Sequence, residues 1–234
     1  MNPDKKTARV AGLLYLLNGI LSGFAFAYVL GKIYVSGDAE TTAANVLAHP
    51  LLLRIGVVAD LSQALIWFLL AMVLHKLLRH VHPGAAAAMV ILVAMGSGIV
   101  CLNDVFQIIA VRIATDASYG AGFGAPRLNA VILLMLDIHH YGFLIAQIFF
   151  GLWLLPFGYL AYESRMFPGG LSVMLVVGGV CYLIGMIAVF LLPEFGEKIN
   201  VYVTIPSAIA EISMAAYLTV VGVRTDRSNA APTR

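Results

Sequence analysis

Of the chain's 234 residues, 61% belong to the hydrophobic set and 11% are charged. Soluble domains carry roughly 25% charged residues, so too little polar material is present to cover a water-facing surface, and a soluble globular enzyme is excluded. The net charge of +2, from 14 basic and 12 acidic residues, gives no ground for nucleic-acid binding.

Apolar residues extend from about Val10 to Val223 without a polar block large enough for a second domain. The expectation is therefore one all-α, polytopic transmembrane helix bundle with the lipid bilayer as its first partner. A crossing needs about 20 apolar residues, because a helix rises about 1.5 Å per residue through about 30 Å of hydrocarbon.

Six spans meet that length, at about 10–30, 55–74, 87–113, 141–162, 171–192 and 201–223. The first follows the basic cluster Lys5, Lys6 and Arg9; its apolar run is longer than a signal-peptide core, so it reads as a retained helix. Gly19 and Gly23 on it form a GxxxG pattern, which reads as a packing face for a neighbouring helix of the same chain. The second span ends at a turn rich in His75, Lys76, Arg79, His80 and His82, where solvated, dipole-matched side chains are expected. After the third comes a loop at 115–126. The apolar stretch 128–162 would be about 50 Å long as one straight helix, too long for an untilted crossing. Its part at 128–140 reads as a helical extension on the outer side, with a kink expected at Pro156 further down. Cys101 and Cys181 sit within spans as packing residues, and 225–234 reads as a short polar tail.

With an inside N-terminus, the inner basic residues are Lys5, Lys6, Arg9, Lys76, Arg79, Arg165, Arg224, Arg227 and Arg234, and the outer ones Lys32, Arg54, Arg112, Arg127 and Lys198. Nine against five predicts both termini in the cytoplasm.

Polar side chains within spans are expensive, at about 2.5–3.5 kcal/mol for an ionisable one on translocon scales, and they face the bundle interior or water. Here they are Asp60 and Gln63, then Asn103, Asp104 and Gln107, then His139, His140 and Gln147, and finally Glu211. Counted from the outer ends, Asp60 lies about 8 Å deep, Asp104 about 14 Å and Glu211 about 15 Å. Asp60 with Gln63, Asp104 with Gln107, and His140 with Gln147 share helical faces by spacing. The expectation is a polar cavity toward the outside that binds or moves a small molecule or ion through Asp60, Asp104, Asn103, Gln107, His139, His140, Gln147 and Glu211. An alternative makes His139, His140, Asp60 and Asp104 ligands of zinc or another divalent metal in an intramembrane hydrolase acting on a lipid or amphipathic substrate. Adjacent histidines point about 100° apart on a helix and rarely ligate one ion together. A third reading is purely structural, each carboxylate being neutral or paired with an amide, Arg54 or Arg112.

The run from Leu136, Asp137, Ile138, His139, His140, Tyr141 and Gly142, continuing through Gln147 to Pro156, Gly158 and Tyr159, resembles the bacterial integral membrane family catalogued as domain of unknown function 4386. So do the opening from Lys6 to Tyr15, the stretch from Arg54 to Asp60, and Pro206, Ala208 and Glu211. The resemblance implies a multi-pass helical protein of the bacterial cytoplasmic membrane and carries no assigned activity.

Overall fold

The computed structural model describes residues 3–120 and 124–224; the polar tail at 225–234 and positions 121–123 of the expected loop lie outside the described residues. The helices are α1 (Pro3–Ile33), α2 (Ala39–Ala48), α3 (Pro50–Leu78), α4 (Pro83–Thr115), α5 (Ala125–Glu163), α6 (Gly169–Leu191) and α7 (Pro193–Val220). Between α4 and α5 stands the single turn Ala117–Gly120. All but α2 are long and apolar enough to cross a membrane, and no strand occurs among the described residues.

Proline marks where these helices begin. Pro50, Pro83 and Pro193 each take a first helical position, where a missing N–H leaves no bond unmade and the fixed φ is already helical. The helices overrun the expected spans because hydropathy marks only the part matched to lipid; α7 starts at Pro193 and continues through its internal Pro206. In α5 the helix runs unbroken through 128–152 and is interrupted at Trp153, three residues before Pro156. Pro156 has no N–H for the Leu152 carbonyl and its ring crowds that carbonyl, so the ladder breaks there.

Within α1 the segment Gly23–Leu30 is wound as a π-helix. Cβ atoms built at Gly19 and Gly23 meet nothing within 4 Å among the described residues, so the GxxxG face is not the packing seam expected of it. Contact is made instead by the π segment, where Phe26 stacks on Phe143 at 4.3 Å and Val29 fills the space left by Gly56.

Helix α2 opens on Asp38, whose carboxylate accepts from the Thr41 amide (2.9 Å) and hydroxyl (2.7 Å). Those bonds hold the Asp38 carboxyl below the usual carboxylate range. A lowered pKa means that the cap acts in full above the unfolded value, 3.8, and is lost as pH falls through the lower folded one. Asp38→Ala is expected to speed amide exchange in the first turn of α2 at neutral pH, and the difference from wild type should shrink as pH falls through the lowered carboxyl value.

By contacts the chain divides into two compact units. One comprises 1–16, 69–92 and 150–234. In it α6 is packed on both faces through adjacent glycines. A Cβ at Gly179 would lie 2.7 Å from the Gly151 carbonyl oxygen, and one at Gly178 would lie 2.8 Å from Ser207 Cα. Ser207 Oγ donates to the Gly178 carbonyl at 2.7 Å. In this unit the start of α1 meets the end of α7, where Arg9 Nη2 donates to the Val220 carbonyl at 3.5 Å, and the Arg224 amide donates to the Met166 carbonyl at 2.9 Å. His82, from the histidine-rich turn, caps α4 by accepting from the Ala85 amide at 3.0 Å.

The other unit comprises 17–68 and 93–149. Its apolar core joins Val29 and Ile33 of α1, Ala43 and Val46 of α2, Leu53 of α3, Ala110 and Val111 of α4, and Ile132 and Leu136 of α5.

Candidate functional site

The second unit gathers polar residues from three helices just beyond that core. Asp60 and Gln63 come from α3, Asn103, Asp104 and Gln107 from α4, and His139 from α5; all are buried, Asp104 and His139 to 2% exposure. Leu136 precedes His139 by three residues and Val111 follows Gln107 by four, so one helical turn separates the apolar core from the polar cluster.

Local sequence explains the approach of α4 to α5. A Cβ at Gly142 would fall 2.6 Å from Asn103 Cγ, so only glycine leaves room for that amide. In that space Asn103 Nδ2 donates to the His139 carbonyl at 2.7 Å. Gln107 Nε2 donates to Asp104 Oδ1 at 2.9 Å and lies 2.8 Å from His139 Nε2, so one amide group serves two acceptors when the imidazole carries its proton on Nδ1. His139 Nε2 and Asp104 Oδ1 are 3.7 Å apart. Asp60, Asp104 and His139 each present one ligating atom, and these three atoms lie within 4.8 Å of one another. The Asp60 carboxyl faces that of Asp104 closely enough for a hydrogen bond if one of them carries a proton. With both ionised, Asp104 Oδ2 is buried without a donor, as is Gln63 Oε1.

Among the described residues no lysine or arginine forms an ion pair with either carboxylate. Arg54 and Arg112 are exposed, and Arg112 lies over the Tyr119 ring at 5.8 Å. Two facing carboxylates without a cationic neighbour are costly in an apolar interior.

The remaining expected residues fall elsewhere. His140 turns from its neighbour's direction to stack on Tyr34 at 5.6 Å, and Tyr34 donates to Asp137 Oδ1 at 2.7 Å. Gln147 is buried on α5. Glu211 belongs to the first unit, where Tyr15 donates to its Oε2 at 2.7 Å and Tyr182 to its Oε1 at 3.1 Å. Sequence reasoning did not single out either tyrosine as a carboxylate partner; the available signal was a phenol standing mid-span rather than at a helix end. Gly142 was likewise invisible except as part of the α5 motif.

Six helices long and apolar enough to cross a membrane, three of them bearing a buried carboxylate–imidazole cluster, define the class: a multi-pass helical membrane protein. The model of one family, described as domain of unknown function (DUF4386), matches residues 10–222, and the chain belongs to that family. No curated protein and no solved structure matches it.

Proposed function

We propose that the protein resides in the bacterial cytoplasmic membrane with both termini inside, and binds or carries a small cation at Asp60, Asp104 and His139. The observation that supports this best is the convergence of three ligating atoms from three helices within 4.8 Å, beside a buried Asp104 oxygen that lacks a donor. A purely structural role accounts for Asp104 Oδ1, which Gln107 pairs, but not for two facing carboxylates whose candidate partners Arg54 and Arg112 stand exposed. The inside placement of the termini rests on the nine-to-five division of basic residues, and the adjacency of Arg9 and Val220 accords with an even number of crossings. Hydrolysis of a lipid is less well supported, since the Gln107 amide stands between Asp104 and His139 where an activated water would be held.

The test is a panel of monovalent and divalent cations added to purified protein in detergent while thermal unfolding is followed. At least one cation at 100 times its Kd should stabilise the wild type by about 2.7 kcal/mol. The Asp60→Asn, Asp104→Asn double variant should lose that gain. A wild type indifferent to every cation, or a double variant that responds equally, would overturn the reading.

A further inference from the structure

We infer that the cation is a first-row transition-metal dication of the zinc type, held by Asp60, Asp104 and His139 with the Gln107 amide oxygen completing the set. This rests on the cation-site reading and sharpens it.

Charge selects the valence. Two ionised carboxylates and a neutral imidazole carry two negative charges, which a dication balances to zero, whereas a monovalent ion leaves one uncompensated charge in an apolar interior. Donor type selects the element class. Calcium and magnesium require six or more oxygens, with magnesium retaining several waters, whereas a buried set of two carboxylates and one imidazole nitrogen suits zinc and its neighbours. Spacing agrees as well. With bonds of about 2.0 Å, ligand atoms at the corners of a tetrahedron stand about 3.3 Å apart; His139 Nε2 is 3.7 Å from Asp104 Oδ1 and all three atoms lie within 4.8 Å, so metal binding requires the three side chains to close in slightly.

Gln107 supplies the fourth position. Its Nε2 now bridges Asp104 Oδ1 and His139 Nε2 at 2.9 and 2.8 Å, occupying the lone pairs a metal would use. Rotating the amide by 180° about its terminal C–C bond exchanges NH2 for oxygen and turns a donor toward two acceptors into a ligand. Asp104 Oδ2, buried and without a donor, is the independent sign that the cluster holds an acceptor open to a cation. Asn103, anchored to the His139 carbonyl, steadies the imidazole-bearing turn.

The experiment titrates metal-stripped, detergent-purified full-length protein with zinc by calorimetry and with cobalt by visible absorption, using magnesium and calcium as controls. One zinc per chain and tetrahedral cobalt bands are expected, with magnesium and calcium at least 100-fold weaker. His139→Ala and Asp104→Asn should each weaken zinc binding at least 30-fold while retaining His75, His80 and His82, which absorbs any surface-histidine contribution. Gln107→Leu should weaken it about tenfold; unchanged or tighter binding there overturns the amide's role as ligand. The wild-type cobalt spectrum needs no variant, so a substitution that fails to fold does not decide the matter. Zinc bound equally well by His139→Ala, or octahedral cobalt alone, overturns the assignment. If calcium, magnesium or a monovalent ion binds through Asp60 and Asp104 while zinc does not, the zinc class fails and the cation site stands; if no cation binds, both fail.

Discussion

Trp153→Ala is expected to lower the stability of the protein in detergent by about 3 kcal/mol or more, within the range of about 3–5 kcal/mol for emptying a large aromatic site. Trp153 is 1% exposed, at the break in α5. Its ring lies 5.7 Å from that of Tyr15 and 5.5 Å from that of Phe157. Because an apolar solvent supplies little hydrophobic drive, the loss comes from contacts forfeited around the cavity rather than from transfer to water. Tyr15 also donates to Glu211, so the cavity frees one wall of that hydrogen bond. Thermal unfolding should show Trp153→Phe losing less than half as much as Trp153→Ala; an alanine variant as stable as the wild type would contradict the packing described.

A second large effect is expected from Gly179→Val, about 3 kcal/mol or more, near the top of the usual overpacking range. The first carbon of any side chain there meets the Gly151 carbonyl oxygen at 2.7 Å, and the reciprocal carbon at Gly151 meets the Gly179 carbonyl oxygen at 2.6 Å. Backbone cannot rotate out of the way as a side chain can. One turn pair further along, a Cβ at Gly158 would lie 2.8 Å from the Ser172 carbonyl oxygen. Positions 151 and 158 on α5 thus oppose 179 and 172 on α6, each pair seven residues apart, as two helices in close antiparallel contact require. Gly19→Ala is the control and should be silent or slightly stabilising, since its Cβ meets nothing and alanine is the better helix former. Melting curves of the two variants side by side decide the matter; equal losses would refute the assigned seam.

These glycines mark how far the sequence could be read. The six spans were legible because lipid thickness sets a length that hydropathy reports directly. Asp104 with Gln107 was legible from spacing, and the structure joins them at 2.9 Å. Depth, however, is one coordinate of three. It set Glu211 level with Asp104, while the rotation and neighbour order of the helices, which no single sequence states, gave Glu211 two tyrosines for partners. The same missing rotation left His139 and His140 equivalent until the fold turned one to Gln107 and the other to Tyr34. GxxxG failed for a related reason: it records that a close approach is sterically permitted, not that a partner is present.

The placement of Asp60, Asp104 and His139 has a consequence for biogenesis. Asp60 lies on the second crossing, Asp104 on the third and His139 on the fourth. Each of the first two helices must leave the translocon bearing an acidic residue, at about 2.5–3.5 kcal/mol apiece, before the imidazole that completes the constellation has been synthesised. Their long apolar runs carry them in regardless. The order of translation thereby makes the fourth crossing the step that closes the cluster, and a chain stalled before it would hold two acidic helices with no third wall against which to lodge them.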